Sequence, residues 1–189
     1  ISGNSTFHVS GVQFDYRTGA IYFSANNGAA FQSLGLNLTG PNRLIKYDTF
    51  TDQVVYVADI DLVVEQIKQI TGAQPNGFQD MAEDDSGNAY FIGTYGGAIV
   101  KVASDGTPSI FYYTSPSVII DTPTTPTTTH GGLQFYWSGI SSLGNILILF
   151  DNSSGKIFRF NTTVSDPMSM HTSFFPSDMP SDVQLGCDR

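Results

Sequence analysis

One pattern recurs three times along the chain, and it restricts the fold more than any other feature. Residues 11–24, 80–93 and 137–150 each read as a short strand, a polar turn with a glycine, and a strongly apolar strand. The turn glycines are Gly19, Gly87 and Gly144. Glycine there supplies the positive φ that a tight hairpin needs. Each copy continues alike. Alternating third strands are expected over 43–47, 98–102 and 156–160. Fourth strands follow over 53–57, 109–113 and around 168–175. Repeated four-stranded antiparallel units predict an all-β propeller, with blades over about 7–57, 78–114 and 133–175. A β-sandwich of short strands is the alternative, but it does not require the same order three times. Apolar residues at 60, 63, 64, 67 and 70 add one helix between the first two blades. Asp59 or Asp61 is its expected cap and Gly72 its end.

Three blades do not close a ring, because propellers carry roughly 4–8. An open half leaves two sheet edges and a bare core face. The chain is therefore expected to be half of a six-bladed propeller. Its partner is a second fragment of one precursor, further residues, or a second copy. The first residue is Ile1, which reads as processing or fragmentation. Cys187 is the one cysteine. Asp188 beside it opposes a reactive thiolate, so an interchain disulfide to a partner segment is the expected use.

Charge removes some functions. Among 189 residues, 8 Lys and Arg stand against 17 Asp and Glu, a net charge of -9. Nothing in that balance offers a nucleic acid a cationic surface. No apolar run reaches the roughly 20 residues of a membrane span. At 40% hydrophobic and 13% charged, the chain has the makings of a packed core. Sequons stand at Asn4, Asn37, Asn152 and Asn161. A Thr/Pro tract over 121–129 suits an exposed, O-glycosylated loop. Together they suggest a secreted, extracellular glycoprotein; the plainer alternative is a Ser/Thr-rich intracellular β protein.

The stretches SGVQFDYRTGAIYF (10–23) and PNGFQDMAEDDSGNAYF (75–91) resemble the six-bladed propellers of the senescence marker protein/gluconolactonase superfamily. The run NGFQDMAEDDSGNAYFIGTYGGAIVKV (76–102) is similar to secreted fungal propellers akin to the virulence-associated protein of the trichothecene cluster. The first resemblance implies an axial divalent cation, commonly Ca²⁺, held at the starts of the innermost strands in a lactonase-like hydrolase. Counting back from the turns, the corresponding positions are Ser10, Gln79 with Asp80, and Tyr136 with Trp137. Asn76 of Pro75-Asn76-Gly77 is another register for the second. Ser10 stands where that family carries a carboxylate. Asp80 or Asn76 would then be the metal ligand, in a donor set sparse for a hard cation.

The segments 24–42, 58–77 and 114–134 are long, and a meander puts all three at the end where the inner strands start. Rigid scaffolds carry function on such loops. Ser10, Gln79, Asp80, Tyr136 and Trp137 are therefore the candidate ligand-binding residues, for a small molecule or a partner. Tyr136 and Trp137 can stack on a ring ligand or fill the gap between blades. Asp80 can be an acid/base group or a carboxylate bonded to strand-end amides. His130, before Gly131-Gly132, is the remaining candidate base. Both enzymatic readings, a metal-dependent lactonase and a metal-free enzyme on a hydrophobic natural product, stay open. Glu83 falls where the other copies are apolar, so its carboxylate needs a partner.

Overall fold

The computed structural model describes residues 7–33, 37, 40–114, 137–152 and 154–178. Blade 1 comprises β1 (Phe7–Asp15), β2 (Ala20–Asn27), β3 (Arg43–Asp48) and β4 (Gln53–Asp59). Blade 2 comprises β5 (Asn76–Glu83), β6 (Ala89–Tyr95), β7 (Ala98–Val102) and β8 (Pro108–Tyr113). Blade 3 comprises β9 (Trp137–Leu143), β10 (Ile146–Asp151), β11 (Lys156–Asn161) and β12 (His171–Phe174). Each is a four-stranded antiparallel meander in chain order, so the fold is all-β and propeller-like. β1 lies against β5 and β5 against β9, which makes these first strands the inner ones. Gly19, Gly87 and Gly144 all have positive φ, as the hairpin pattern requires.

Two apolar layers join the blades. Between blades 1 and 2, Tyr22, Leu44 and Ala58 pack on Met81, Phe91 and Val100. Between blades 2 and 3, Tyr90, Ile99 and Tyr112 meet Trp137, Leu147 and Phe160. Each fully buried large side chain contributes about 1.5–3 kcal/mol. Helix α2 (Asp61–Thr71) lies between β4 and β5 and closes the first layer with Val63, Val64 and Ile67. It ends at Gly72, in the left-handed region, as expected. Its start differs from expectation. Ile60 occupies the cap position, and no side chain caps the helix from there. The Asp59 carboxylate instead accepts the Asp61 amide. The Asp61 carboxylate is taken by Asn42 and Arg43. A five-residue helix, α1 (Gly28–Gln32), follows β2, where the sequence shows only a long connection.

Candidate functional site

The inner strands share a feature that the turns alone do not reveal. Each breaks register near its start, between Val9 and Gly11 in β1 and between Phe78 and Asp80 in β5. In β9 the pairing jumps from Trp137 to Gly139. The extra residues are Ser10, Gln79 and Ser138. A bulge at this point re-aims a side chain without disturbing the rest of the ladder. Two of the three are expected site residues. The third position is Ser138, whereas counting back from the turn gives Tyr136. The cause is the hairpin itself. Leu143 pairs with Ile146 across a two-residue turn, shorter than the turns between Asp15 and Ala20 or between Glu83 and Ala89.

Around the first two bulges lie polar residues, with Ser24, Asn26, Asn76 and Thr94 buried, Gln79 half-buried and Ser10 exposed. Ser10 and Ser24 share a hydrogen bond of 3.0 Å, and the Asn26 amide donates to Ser10 Oγ at 2.9 Å. The same Asn26 amide donates to the Phe78 carbonyl, tying blade 1 to blade 2. Gln79 Nε2 donates to Thr94 Oγ1 at 3.1 Å. Asn76 accepts the Gly77 amide through Oδ1. Asn26 Oδ1 and Asn76 Nδ2 are buried and have no partner among the described residues. Unmet polar atoms of this kind cost free energy unless something binds them. Asn26 escapes a sequence reading because it sits on β2 beyond the repeat, and Ser24, the last residue of the first copy, because nothing local marks its partner.

Asp80 sits between blades. Its Oδ2 accepts the Ile140 amide and its Oδ1 the Met81 amide, each at 3.0 Å. Burial raises its pKa, and the two amide bonds only partly oppose that. Trp137 is 1% exposed and packs edge-on against Tyr112 and Phe158. Its ring therefore fills the gap between blades 2 and 3. Tyr136, His130, Asn4 and Cys187 lie outside the described residues. Asn37 and Asn152 are exposed, and Asn161 is half-buried.

The resemblance to the gluconolactonase superfamily implies a Ca²⁺ at this end, and the residues do not fit one. Of Ser10, Asn76, Gln79 and Asp80, Asp80 alone is a carboxylate, and burial biases it towards the neutral form. The Ser10 hydroxyl and the Gln79 amide are engaged with protein neighbours. A hard cation needs several free oxygens with negative charge. Among the described residues, no three His, Cys, Asp or Glu stand where they could hold a metal.

The opposite end is held by charge. Glu83 is 3% exposed, and its carboxylate takes Tyr22 Oη at 2.5 Å and Lys46 Nζ at 3.3 Å. The partners that a buried carboxylate demands thus come from blade 1. The Glu83 carbonyl accepts Arg17 from blade 1 and Ser142 from blade 3. Arg17 also pairs with Asp15 and Asp85. A cavity of about 420 Å³ opens here, lined by Tyr16, Arg17, Glu83, Asp85 and Leu143 among others. It lies at the short-turn end, away from the end that loop length singles out. Its charged groups are committed to one another, so it offers a ligand little unpaired chemistry.

No family model matches the chain. It is 29% identical over 168 residues to core trichothecene cluster (CTC) protein 14 of Fusarium sporotrichioides. That match covers 85% of this chain and 39% of the relative. It is 26% identical over 136 residues to trichothecene biosynthesis protein 14 of Trichoderma arundinaceum, covering 72% of this chain and 32% of the relative. The chain thus spans well under half the length of these relatives. Among solved structures, the Malassezia sympodialis allergen Mala s 1 superposes with a TM-score of 0.57 at 16% identity, over 93% of this chain and 66% of that one. Virginiamycin B lyase from Staphylococcus aureus superposes with a TM-score of 0.50 at 15% identity, over 94% and 44%. An allergen and a lyase on one scaffold agree in fold and leave activity to the site.

Proposed function

We propose that this chain is part of a secreted, N-glycosylated fungal propeller, six-bladed when complete. In this reading it binds a small oxygenated terpenoid of the trichothecene kind at the long-loop end of its axis. The ligand class is suggested by the names of the two fungal relatives. The observation that carries the site is the pair of buried, unpartnered amide atoms on Asn26 and Asn76 beside the bulged Ser10 and Gln79. Asn76 Nδ2 can donate to a hydroxyl, epoxide or carbonyl oxygen, and Asn26 Oδ1 can accept from a hydroxyl, on an otherwise apolar ring system. Exposed sequons at Asn37 and Asn152 support the secreted half of the reading.

Equilibrium dialysis of the natural glycoprotein against a trichothecene tests it. Retention is expected, weakened about ten-fold in Asn76→Ala, the loss of one ligand hydrogen bond. Retention no greater than that of an unrelated glycoprotein sinks the proposal. A second reading, metal-free catalysis on such a molecule, is favoured by Asp80, a carboxyl between blades whose burial raises its pKa and so favours the protonated form of a general acid. Asp80→Asn should then stop turnover while leaving retention unchanged. A variant that still turns the compound over removes Asp80 from the chemistry.

A further inference from the structure

Blade 1 has two apolar faces, and only one is covered. The rows that pair across its sheet are Val12, Phe23 and Ile45, then Phe14, Ile21 and Tyr47. Val54 and Val57 extend these rows onto β4. Val12 is 64%, Phe14 53% and Val57 55% exposed, Phe23 is half-buried, and Ile45 in the middle of the row is 9% exposed. Counting from the bulges, Val12, Phe23 and Ile45 occupy the places of Met81, Phe91 and Val100 in blade 2. Those three are wholly buried, and they pack on blade 1. This face of blade 1, exposed at Val12, Phe14 and Val57, therefore repeats in sequence position a face that elsewhere in this molecule is covered by a blade. Exposed apolar surface of that extent marks an interface.

The geometry points to one occupant: a further four-stranded blade of the same longer polypeptide, which we propose packs on Val12, Phe14, Phe23 and Val57. By repetition, that blade presents the counterpart of Tyr22 and Leu44, an aromatic on its second strand and a branched aliphatic on its third. Tyr90 and Ile99 fill these places in blade 2. A longer polypeptide is favoured over a second copy because the first fungal relative aligns with this chain over only 39% of its length. The remainder has ample residues for more blades. The inference rests on the ring-closing part of the proposed function and is independent of any ligand.

Carbene labelling of apolar side chains tests it, on the natural polypeptide after its native mass is measured. The 189-residue chain serves as the comparison. Leu62 on α2, 80% exposed, is the internal reference. In a monomeric natural polypeptide, labelling of Val12, Phe14 and Val57 should fall about five-fold against Leu62, as half-exposed side chains become core. In the 189-residue chain it should stay near that of Leu62. Full labelling in the natural polypeptide overturns the proposal, and so does a natural polypeptide no longer than this chain. Protection only at twice the chain's mass assigns the face to a second copy and overturns it too. Protection within the monomeric 189-residue chain overturns it as well, by assigning the face to the chain's own remaining residues. Failure to retain a trichothecene, with the face still protected, counts against the ligand alone.

Discussion

At the scale of single residues, the charged groups divide into those that stabilise and those that cost. Glu83 belongs to the first kind. Its side chain and that of Lys46 are both largely withdrawn from water, so removing one charge strands the other. Glu83→Gln is expected to cost about 3–5 kcal/mol. Replacing Glu83 and Lys46 together by methionine should cost clearly less than the two single changes summed. Chemical denaturation of the three variants measures this, and strict additivity would show that the pair does not interact. The carboxylates Asp15, Asp84 and Asp80 give the molecule a pH dependence of two signs. Burial alone would raise Asp15 and Asp84. For Asp15 the Arg17 guanidinium outweighs it; for Asp84 hydrogen bonds from Asn88, Tyr90 and Ser86 do so, and both carboxyls sit below the usual 3.8. Their contribution is complete above 3.8 and is lost as pH falls through their native values. Asp80 is raised, so the native state keeps a proton that the unfolded chain has released. Its cost grows as pH climbs from 3.8 to its native value. Urea midpoints against pH should show Asp84→Asn flattening the acid limb and Asp80→Asn flattening the limb just above it. Unchanged curves would remove these groups from the pH dependence. Counted from the turns, Glu83 stands against the apolar Phe14 and Ile140, and that contrast makes it legible in the sequence; counted from the bulges, blade 3 has Ser142 there instead. The partners of Glu83 are not legible, because Lys46 and Tyr22 lie 37 and 61 residues away.

At the scale of elements, hairpins and strand order follow from local rules, and the sequence carries them openly. A turn glycine with positive φ and an alternating strand are decided within a few residues. The bulges are different. They are set by how inner strands of neighbouring blades approach, which no local pattern records. That is why the polar pairing of Ser24 and Asn26 goes unnoticed, whereas Ser138 escapes a count made from Gly144 because its hairpin turn is shorter than the other two. The approach can be tested at two glycines. A β-carbon on Gly11 would stand 1.8 Å from the Gln79 carbonyl oxygen of the next blade. One on Gly139 would meet nothing closer than Asp80 Oδ2 at 3.7 Å, an ordinary contact. Gly11→Ala must push β1 off β5 and should cost about 3 kcal/mol, at the upper end of overpacking. Gly139→Ala should cost no more than about 1 kcal/mol. Equal melting temperatures for the two variants would refute the close packing of β1 on β5. The gap-filling role of Trp137 was legible as one of two alternatives, since a large aromatic at an inner-strand start suits either. Only the neighbouring Tyr112 and Phe158 decide where its ring goes.

At the scale of the whole molecule, the three blades are unequally supported. Blade 2 is covered on both faces, by blade 1 on one side and blade 3 on the other. Tyr90, Phe91, Ile92, Ile99 and Val100 are completely buried on β6 and β7. Blade 1 shows Val54, Val55 and Val57 to solvent along β4, its outermost strand. Blade 3 ends in β12, four residues long and paired on one side only. Local opening exposes little new apolar surface at β4 or β12, whereas freeing β6 or β7 means breaking both apolar layers at once. Native-state hydrogen exchange should therefore rank the amides, slowest in β6 and β7 and fastest in β4 and β12, across a range of several kcal/mol. The short-turn end adds a second expectation to the same experiment. Arg17 and Ser142 both donate to the Glu83 carbonyl, so the inner-strand ends of all three blades are tied at one point. Arg17→Ala should speed exchange around Asp15, Glu83 and Asp85 together, while leaving β6 and β7 as slow as before. If β4 and β6 exchange at one common rate, the blades unfold as a single unit and the layered account of stability fails. If the ranking holds but Arg17→Ala accelerates blade 1 alone, the charge network belongs to that blade's own turn and does not join the three.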